Sequence, residues 1–335
     1  MFCPMNPPVE DSVVRMGQNH WSLGSLYVCE LVFDVPNDAM ISWEADGNTY
    51  CIRKSSTDEQ ASTVSGDSGS NRFHHAGTSA AVWNIGGTFV KVKAWRRGMQ
   101  LESDTIKFVN SISSIPTPDI VFSWVDADWD RSFLVLKALE GWTLDQVWES
   151  LSADQRMQIA DTVAQFCKTL ALSTSTTLMT ANGKGALKPF LTDLPQASEP
   201  SWKPRTLGPF SSSELRSYLS KTTVLKDHIE SFHFYHADLG PSNIIVTEDG
   251  SIVGIIDWES AAFYPKFWLG TKPLVSAGFF LRGAEKRTWA ALLASTLERE
   301  GFSPDICKYQ AWKKAMGKRF NLDPFLCNFL PLRQS

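Results

Sequence analysis

Two short apolar runs on either side of a polar turn constrain the fold of this chain more than any other stretch. Residues 244–246 read Ile-Ile-Val, residues 252–256 read Ile-Val-Gly-Ile-Ile, and an Asp-Gly pair lies between them. Short β-branched runs around Asp-Gly predict a β-hairpin. Because a hairpin brings its two outer ends together, we expect Asn243 and Asp257 to meet at one end, together with Asp238 in the preceding loop.

The polar residues at that end suit one kind of chemistry. Phosphoryl transfer from a nucleotide requires Mg²⁺ on the phosphates, because the transition state spreads negative charge over the transferred group. Mg²⁺ takes oxygen ligands and usually keeps several waters, so the carboxylate of Asp257 and the amide oxygen of Asn243 are enough protein ligands. The carboxylate of Asp238 is then left to face an attacking hydroxyl group. The pattern therefore predicts a magnesium-dependent phosphoryl-transfer site.

The same stretch resembles a known family. The spacing from His236 to Asn243 resembles the catalytic loop of the protein-kinase fold, and residues 255–259 resemble its metal-binding strand end. Protein kinases usually have Arg after the His, Lys two residues after the Asp, and Asp-Phe-Gly at the metal strand. Here Ala237, Gly240 and Asp-Trp-Glu stand at those places. These details are similar to the aminoglycoside phosphotransferase and choline kinase branch, including a group of fungal phosphotransferase-family proteins.

The resemblance implies an α+β chain with a protein-kinase-like two-lobed fold. A small, mainly antiparallel β lobe on the nucleotide phosphate side is expected over residues 1–138. A mainly helical lobe with the catalytic loop and the substrate side is expected over residues 139–335. The residue pattern agrees, because Gly86-Gly87 between alternating apolar runs predicts a hairpin, whereas the spacing after residue 143 becomes helical.

The resemblance also implies roles in the catalytic loop. Asp238 is expected to be the catalytic base, and His236 is placed with it as a residue that braces the loop rather than touching substrate. Asn243 and Asp257 are expected to hold Mg²⁺. The expected reaction transfers the γ-phosphoryl group of ATP to a hydroxyl of a small molecule.

Nucleotide-binding residues are expected in the N-terminal half. Lys91 and Lys93 share one strand face by the period of two, so an ammonium there could reach the phosphates. The resemblance favours Lys91, with Lys93 as the alternative, and it implies that Glu102 on the next helix pairs with Lys91. Backbone groups between Lys137 and Leu139 are expected to hydrogen-bond the adenine.

A polar stretch precedes these strands. Residues 54–72 are nearly all Ser, Thr, Asp, Glu, Gln, Gly and Lys, which cannot form a core and predict a mobile loop. A lid over the phosphates is a candidate use for it. The sequence contains no clear G-x-G-x-x-G loop, so the element that covers the phosphates stays unplaced.

Composition limits the partners and the compartment. A net charge of −4 gives no basis for binding nucleic acid or an anionic membrane. No apolar run approaches the length of a membrane span, and the first residues lack the pattern of a secretory signal. The 6 cysteines are scattered without a C-x-x-C motif, which predicts a reduced cytoplasmic protein.

Two other functions stay open. A protein Ser/Thr kinase is disfavoured by Gly240, which stands where the loop lysine is expected. A catalytically silent binding module of the same fold is disfavoured because the whole set of polar residues is present, namely Lys91, Asp238, Asn243 and Asp257.

Overall fold

The computed structural model describes residues 8–56, 72–76, 80–187, 204–218 and 229–315. Most of the predicted mobile loop, residues 57–71, lies outside the described residues. The chain divides into two compact units. The first consists of Met1–Arg97, Pro118–Ala138 and Glu199–Pro204, and the second of Gly98–Thr117, Leu139–Ser198 and Arg205–Ser335.

The described part of the first unit consists mainly of antiparallel strands. These are β1 (Val13–Gly17), β2 (His20–Leu23), β3 (Tyr27–Val32), β4 (Ala39–Ala45), β5 (Asn48–Lys54), β6 (Arg72–Ala76), β7 (Ala80–Ile85), β8 (Thr88–Ala94), β9 (Ile120–Asp126) and β10 (Arg131–Lys137). One sheet has the order β1-β2-β3-β5-β4 and the other has the order β6-β7-β8-β10-β9. The strands thus follow a meander, with one crossover in each sheet.

Tight turns with left-handed backbone connect the paired strands. Asp46 and Gly47, between β4 and β5, have φ angles of 51° and 73°. Gly86 and Gly87, between β7 and β8, have φ angles of 55° and 67°. Two consecutive positive φ angles fit the primed turns whose twist matches paired strands. The hairpin predicted at Gly86-Gly87 is therefore confirmed.

Side chains alternate along the strands of the first unit. On β8, Val90 and Val92 are fully buried, whereas Lys91 and Lys93 point to the opposite, half-buried face. The buried face packs into a core that contains the stacked rings of Trp124 and Phe133, 4.6 Å apart, and several other aromatic and aliphatic side chains. The period of two that placed both lysines on one face is confirmed.

The second unit contains the helices of the described chain and its short strands. The helices are α1 (Glu102–Ile112), α2 (Leu144–Val147), α3 (Ala153–Ala171), α4 (Ser212–Tyr218), α5 (Lys266–Val275), α6 (Thr288–Arg299) and α7 (Ile306–Ala315). The strands are β11 (Trp142–Thr143), β12 (Thr174–Ser175), β13 (Thr177–Leu178), β14 (Phe210–Ser211), β15 (Phe232–Tyr235), β16 (Ile244–Val246), β17 (Ile252–Ile255) and β18 (Ala262–Pro265).

Short sheets frame the catalytic loop in the second unit. Strands β11, β16 and β17 form one sheet in that order, and β12, β15 and β18 form another. The loop with His236 and Asp238 leaves β15 and reaches β16, so it runs from one sheet to the other. Within the described residues, none of the helices combines the length and apolar character needed to cross a lipid bilayer.

Local signals in the sequence explain several boundaries. Helix α3 begins after Ser152, whose Oγ accepts a hydrogen bond from the Gln155 N–H at 3.2 Å, while Gln155 Oε1 accepts one from the Ser152 N–H at 2.8 Å. This reciprocal pair is the capping box predicted from the sequence. The core of the unit contains large aromatic side chains that are almost fully buried: Trp258, Trp268, Trp289, Trp312 and Tyr235.

Candidate active site

The hairpin formed by β16 and β17 brings two of the predicted site residues to one end. Ile244 is paired with Ile255, and one step further out the Ile256 N–H donates to the Asn243 carbonyl at 3.0 Å. Asn243 therefore immediately precedes the first paired residue of β16, and Asp257 immediately follows Ile256. The meeting of Asn243 and Asp257 expected from hairpin geometry is what the backbone shows.

Asn243 connects this end of the hairpin to Asp238. Its Nδ2 donates to the backbone carbonyl of Asp238 at 2.8 Å and lies 3.4 Å from Asp238 Oδ2. These contacts fix the orientation of the amide group. Asn243 Oδ1 is then on the other side of the amide, where Ser242 Oγ lies at 3.5 Å. Asp238 and Asn243 are thus linked directly, and the Asn243 carbonyl is bonded to Ile256, the residue before Asp257.

His236 is fully buried, and its ring is hydrogen-bonded to the backbone of the catalytic loop. Its Nδ1 accepts a hydrogen bond from the Asp238 N–H at 3.1 Å, and its Nε2 lies 3.0 Å from the Ile256 carbonyl. Nδ1 as an acceptor and Nε2–H as a donor define a neutral imidazole. Burial lowers the pKa of His236, against the opposing effect of the charges on Asp238 and Asp257. The contacts are those of a residue that connects the loop to the end of β17.

Two residues of the site adopt left-handed backbone conformations. Ala237 has a φ angle of 64°, and Asp257 has φ 64° and ψ 57°. This region is uncommon for residues other than glycine, and such conformations persist only where the surroundings enforce them. They occur directly before Asp238 and at Asp257 itself. Both carboxylates are therefore presented by backbone that costs energy to hold.

Three half-buried carboxylates lie close together at the end of β17. Oxygen atoms of Glu102, Asp257 and Glu259 all lie within 4.8 Å of one another. Glu102 Oε1 also accepts a hydrogen bond from the Trp258 N–H at 3.0 Å. Carboxylate oxygens are the hard donors that Mg²⁺ prefers, so this cluster is a candidate site for a divalent cation. Sequence reasoning missed Glu259, although its place two residues after Asp257 was a visible signal.

The structure also reveals a cation beside Asp238. Lys272, on α5, has a side chain that is only 1% exposed, and its Nζ lies 3.7 Å from Asp238 Oδ1. The same Nζ lies 2.6 Å from Ser276 Oγ and 5.4 Å from the centre of the Phe279 ring. Sequence reasoning missed this residue. The available signal was a lysine inside an otherwise apolar helical stretch.

The predicted phosphate lysine and its predicted partner occur in different units. Lys91 is at the centre of β8, where its backbone is in register with Val82 and Leu134. Glu102 is the first residue of α1, in the second unit. The pairing of Lys91 with Glu102, and the choice of Lys91 over Lys93, stay predictions.

The backbone predicted to bind adenine is partly engaged within the first unit. The Lys137 N–H donates to the Asp119 carbonyl at 2.9 Å, and the Ala138 N–H donates to the Gly87 carbonyl at 3.2 Å. The Lys137 side chain is exposed, with its Nζ 3.7 Å from Asp119 Oδ2. Nucleotide binding between Lys137 and Leu139 stays a prediction, and it has to use groups other than these two N–H donors.

A protein-family model matches the part of the chain that contains the candidate site. The model of the phosphotransferase enzyme family (APH) matches residues 113–265, which include the catalytic loop and the hairpin. No curated protein matches the sequence at a significant level.

Solved structures of aminoglycoside phosphotransferases are similar at low identity. A thermostable mutant of APH(4)-Ia in its apo form has 17% identity and a TM-score of 0.45, covering 73% of this chain and 83% of that chain. The streptomycin–ATP–APH(2")-IIa ternary complex has 14% identity and a TM-score of 0.40, covering 73% and 80%. A putative aminoglycoside phosphotransferase (reut_a1007) from Ralstonia eutropha JMP134 has 15% identity and a TM-score of 0.39, covering 77% and 78%.

The family match and the chain's own architecture lead to one conclusion. Antiparallel sheets dominate the N-terminal part, helices dominate the C-terminal part, and the matched segment carries the catalytic-loop residues. Residues 113–265 match the model of the phosphotransferase enzyme family, as the resemblance predicted, and the strands and helices of the described residues confirm the predicted α+β class.

Proposed function

We propose that this protein transfers the γ-phosphoryl group of ATP to a hydroxyl group of a small molecule. One observation carries the proposal: the hairpin brings Asn243 and Asp257 to the same end, and Asn243 holds Asp238 by its backbone carbonyl at 2.8 Å. This arrangement supports a role for Asp238 as the base, beside Asn243 and Asp257 as oxygen ligands of a divalent cation. The match to the phosphotransferase enzyme family supports the same chemistry.

Asp238 is the proposed base. Its side chain is 32% exposed, so a hydroxyl group can approach it from solvent. As the acceptor oxygen forms a bond to the γ-phosphorus, the bond from that phosphorus to the bridging oxygen breaks and ADP leaves. The hydroxyl proton passes to the carboxylate of Asp238. A positioned general base is typically worth about 10²–10⁴ in rate.

The oxygen donors at the end of β17 fit Mg²⁺. Asp257 and Asn243 would hold the ion, and Glu102 and Glu259 place two further carboxylates close to Asp257. When bound, the ion supplies positive charge that neutralises the charge developing on the phosphates. The left-handed conformation of Asp257 and the hydrogen bond from the Trp258 N–H to Glu102 keep the carboxylates together before any cation arrives.

A screen of acceptors tests the proposal. ADP release from ATP and Mg²⁺ is measured with a collection of hydroxylated small molecules, using the parent chain and Asp238→Asn. We expect at least one acceptor to stimulate ADP release by the parent, with a rate about 10²–10⁴-fold lower for Asp238→Asn.

Other outcomes distinguish the alternatives. Phosphorylation of generic protein substrates, without stimulation by small molecules, would favour a protein kinase. Absence of magnesium-dependent ATP binding in calorimetry would favour a catalytically silent binding module. Equal rates for the parent and Asp238→Asn would remove Asp238 from the proposed role.

A further inference from the structure

A buried ammonium group lies against the proposed base, and the reaction as proposed above does not use it. Lys272 Nζ lies 3.7 Å from Asp238 Oδ1, and the lysine side chain is only 1% exposed. Transfer of a charged group out of water is costly unless the charge is paired and hydrogen-bonded. Ser276 Oγ, 2.6 Å from Nζ, supplies a hydrogen bond, and Asp238 supplies the negative charge.

Helix α5 and the segment after it surround this pair. Phe279 presents its ring 5.4 Å from Lys272 Nζ. Gly278 lies beside the carboxylate, since a Cβ there would be in ordinary contact with it, 3.5 Å from Asp238 Oδ1. The ammonium therefore has a defined position, because the Ser276 hydroxyl, the Phe279 ring and the Asp238 carboxylate all lie against it.

The catalytic loop has no room for a side chain at position 240, where protein kinases usually have a lysine. Gly240, two residues after Asp238, has backbone so close to the Gly278 carbonyl oxygen that a Cβ would collide with it. Its φ of −71° is one that any residue can adopt, so the glycine is required by space and not by conformation. A lysine at position 240 would therefore not fit. The cation beside Asp238 is instead Lys272 of α5.

We propose that Lys272 is a positioning residue for the phosphoryl transfer proposed above, on which this inference rests. The carboxylate of Asp238 is contacted on both oxygens, with Oδ1 facing Lys272 Nζ and Oδ2 lying 3.4 Å from Asn243 Nδ2. A carboxylate contacted on both oxygens has one preferred orientation about its terminal bond. Correct orientation of a base matters because a displacement of about 1 Å can cost 10²-fold in rate.

Substitution by methionine tests the role of the charge. Lys272→Met keeps an unbranched apolar chain of similar length and removes the ammonium. Lys266→Met is the matched control, since Lys266 is on the same helix, is exposed and lies over the Phe302 ring at 5.6 Å. We expect kcat to fall about 10²-fold in Lys272→Met. The KM for ATP should stay close to that of the parent, and Lys266→Met should match the parent in both.

A stability measurement tests the ion pair without any turnover. Asp238→Asn removes the carboxylate that lies 3.7 Å from the buried ammonium. The melting temperature of this variant should therefore fall below that of the parent. Adding Lys272→Met should raise the melting temperature again, because the double variant removes both members of the ion pair. A double variant no more stable than Asp238→Asn would overturn the pairing.

Failure of the inference and failure of the proposed function look different. A parent chain that releases ADP and a Lys272→Met variant with the same kcat would overturn the role of Lys272 and leave the proposed function intact. A fall in kcat of Lys272→Met that Lys266→Met shares, or a rise in KM with unchanged kcat, would also overturn it. Failure of the proposed function shows instead as a parent chain without stimulated ADP release.

Discussion

The backbone N–H of Trp258 donates a 3.0 Å hydrogen bond to Glu102 Oε1, and so connects the first residue of α1 to the residue that follows Asp257. Both residues belong to the second unit. The bond stabilises the turn in which Asp257 adopts its left-handed conformation. Glu102 thus acts on the candidate metal site through the backbone, whatever its relation to Lys91.

Glu102→Ala should destabilise the second unit. The variant removes the acceptor of the buried Trp258 N–H, and an unsatisfied buried donor costs about 1–3 kcal/mol. Glu102→Gln is the matched control, because its amide oxygen can still accept the hydrogen bond. Urea unfolding followed by tryptophan fluorescence measures the free energies of unfolding. Equal losses in the two variants would show that the hydrogen bond to Trp258 is not the stabilising contact.

Asp257→Asn should abolish magnesium-dependent turnover and leave the fold intact. Asn adopts left-handed backbone more readily than most residues, so the turn is kept while one of the three clustered charges is removed. We expect ADP release to fall by at least about 10²-fold. A magnesium titration of ADP release and a thermal melt measure the two effects. Parent-like turnover at every magnesium concentration would contradict the assignment of Asp257.

Gly240→Ala should destabilise the protein, whereas Gly278→Ala should be tolerated. The new methyl group at position 240 would collide with the Gly278 carbonyl oxygen, and overpacking of this kind costs about 1–3 kcal/mol. At position 278 the new Cβ would meet ordinary contacts, 3.5 Å from Asp238 Oδ1 and 3.6 Å from Ser276 Oγ. Chemical denaturation measures the free energy of unfolding of both variants. Equal values would contradict the prediction.

His236 should make stability depend on pH below neutrality. Burial lowers its pKa from the ordinary value of 6.5, so the folded protein binds this proton less readily than the unfolded chain. The stabilisation is therefore fully present above pH 6.5 and is lost as the pH falls below that value. The free energy of unfolding should decline less steeply with acidification in His236→Gln than in the parent. Parallel curves for the two proteins would contradict this.

Local sequence signals were enough to predict much of the fold. Paired turn residues such as Gly86-Gly87 fix the hairpin, because they adopt positive φ angles that other residues avoid. The capping box at Ser152 depends on residues only three positions apart. The position of Asn243 and Asp257 at the same end of the hairpin follows from the strand pairing alone.

Contacts between distant segments could not be predicted in this way. The hydrogen bond from Trp258 to Glu102 joins residues 156 positions apart through a backbone group that has no sequence signature. The burial of Lys272 contradicts the usual preference of lysine for solvent, and only the fold places Asp238 beside it. The crowding at Gly240 likewise depends on a carbonyl group 38 positions away in the chain.

The approach of Gly240 to Gly278 has a mechanical consequence. At Gly240 and Gly278 the backbones of the catalytic loop and of the turn after α5 lie side by side, with no side chain between them. An acceptor that pushes on this turn should therefore shift Asp238 directly. Discrimination among related alcohols is then expected to appear as differences in kcat at similar KM, and a panel of acceptors differing by one methyl group would measure it.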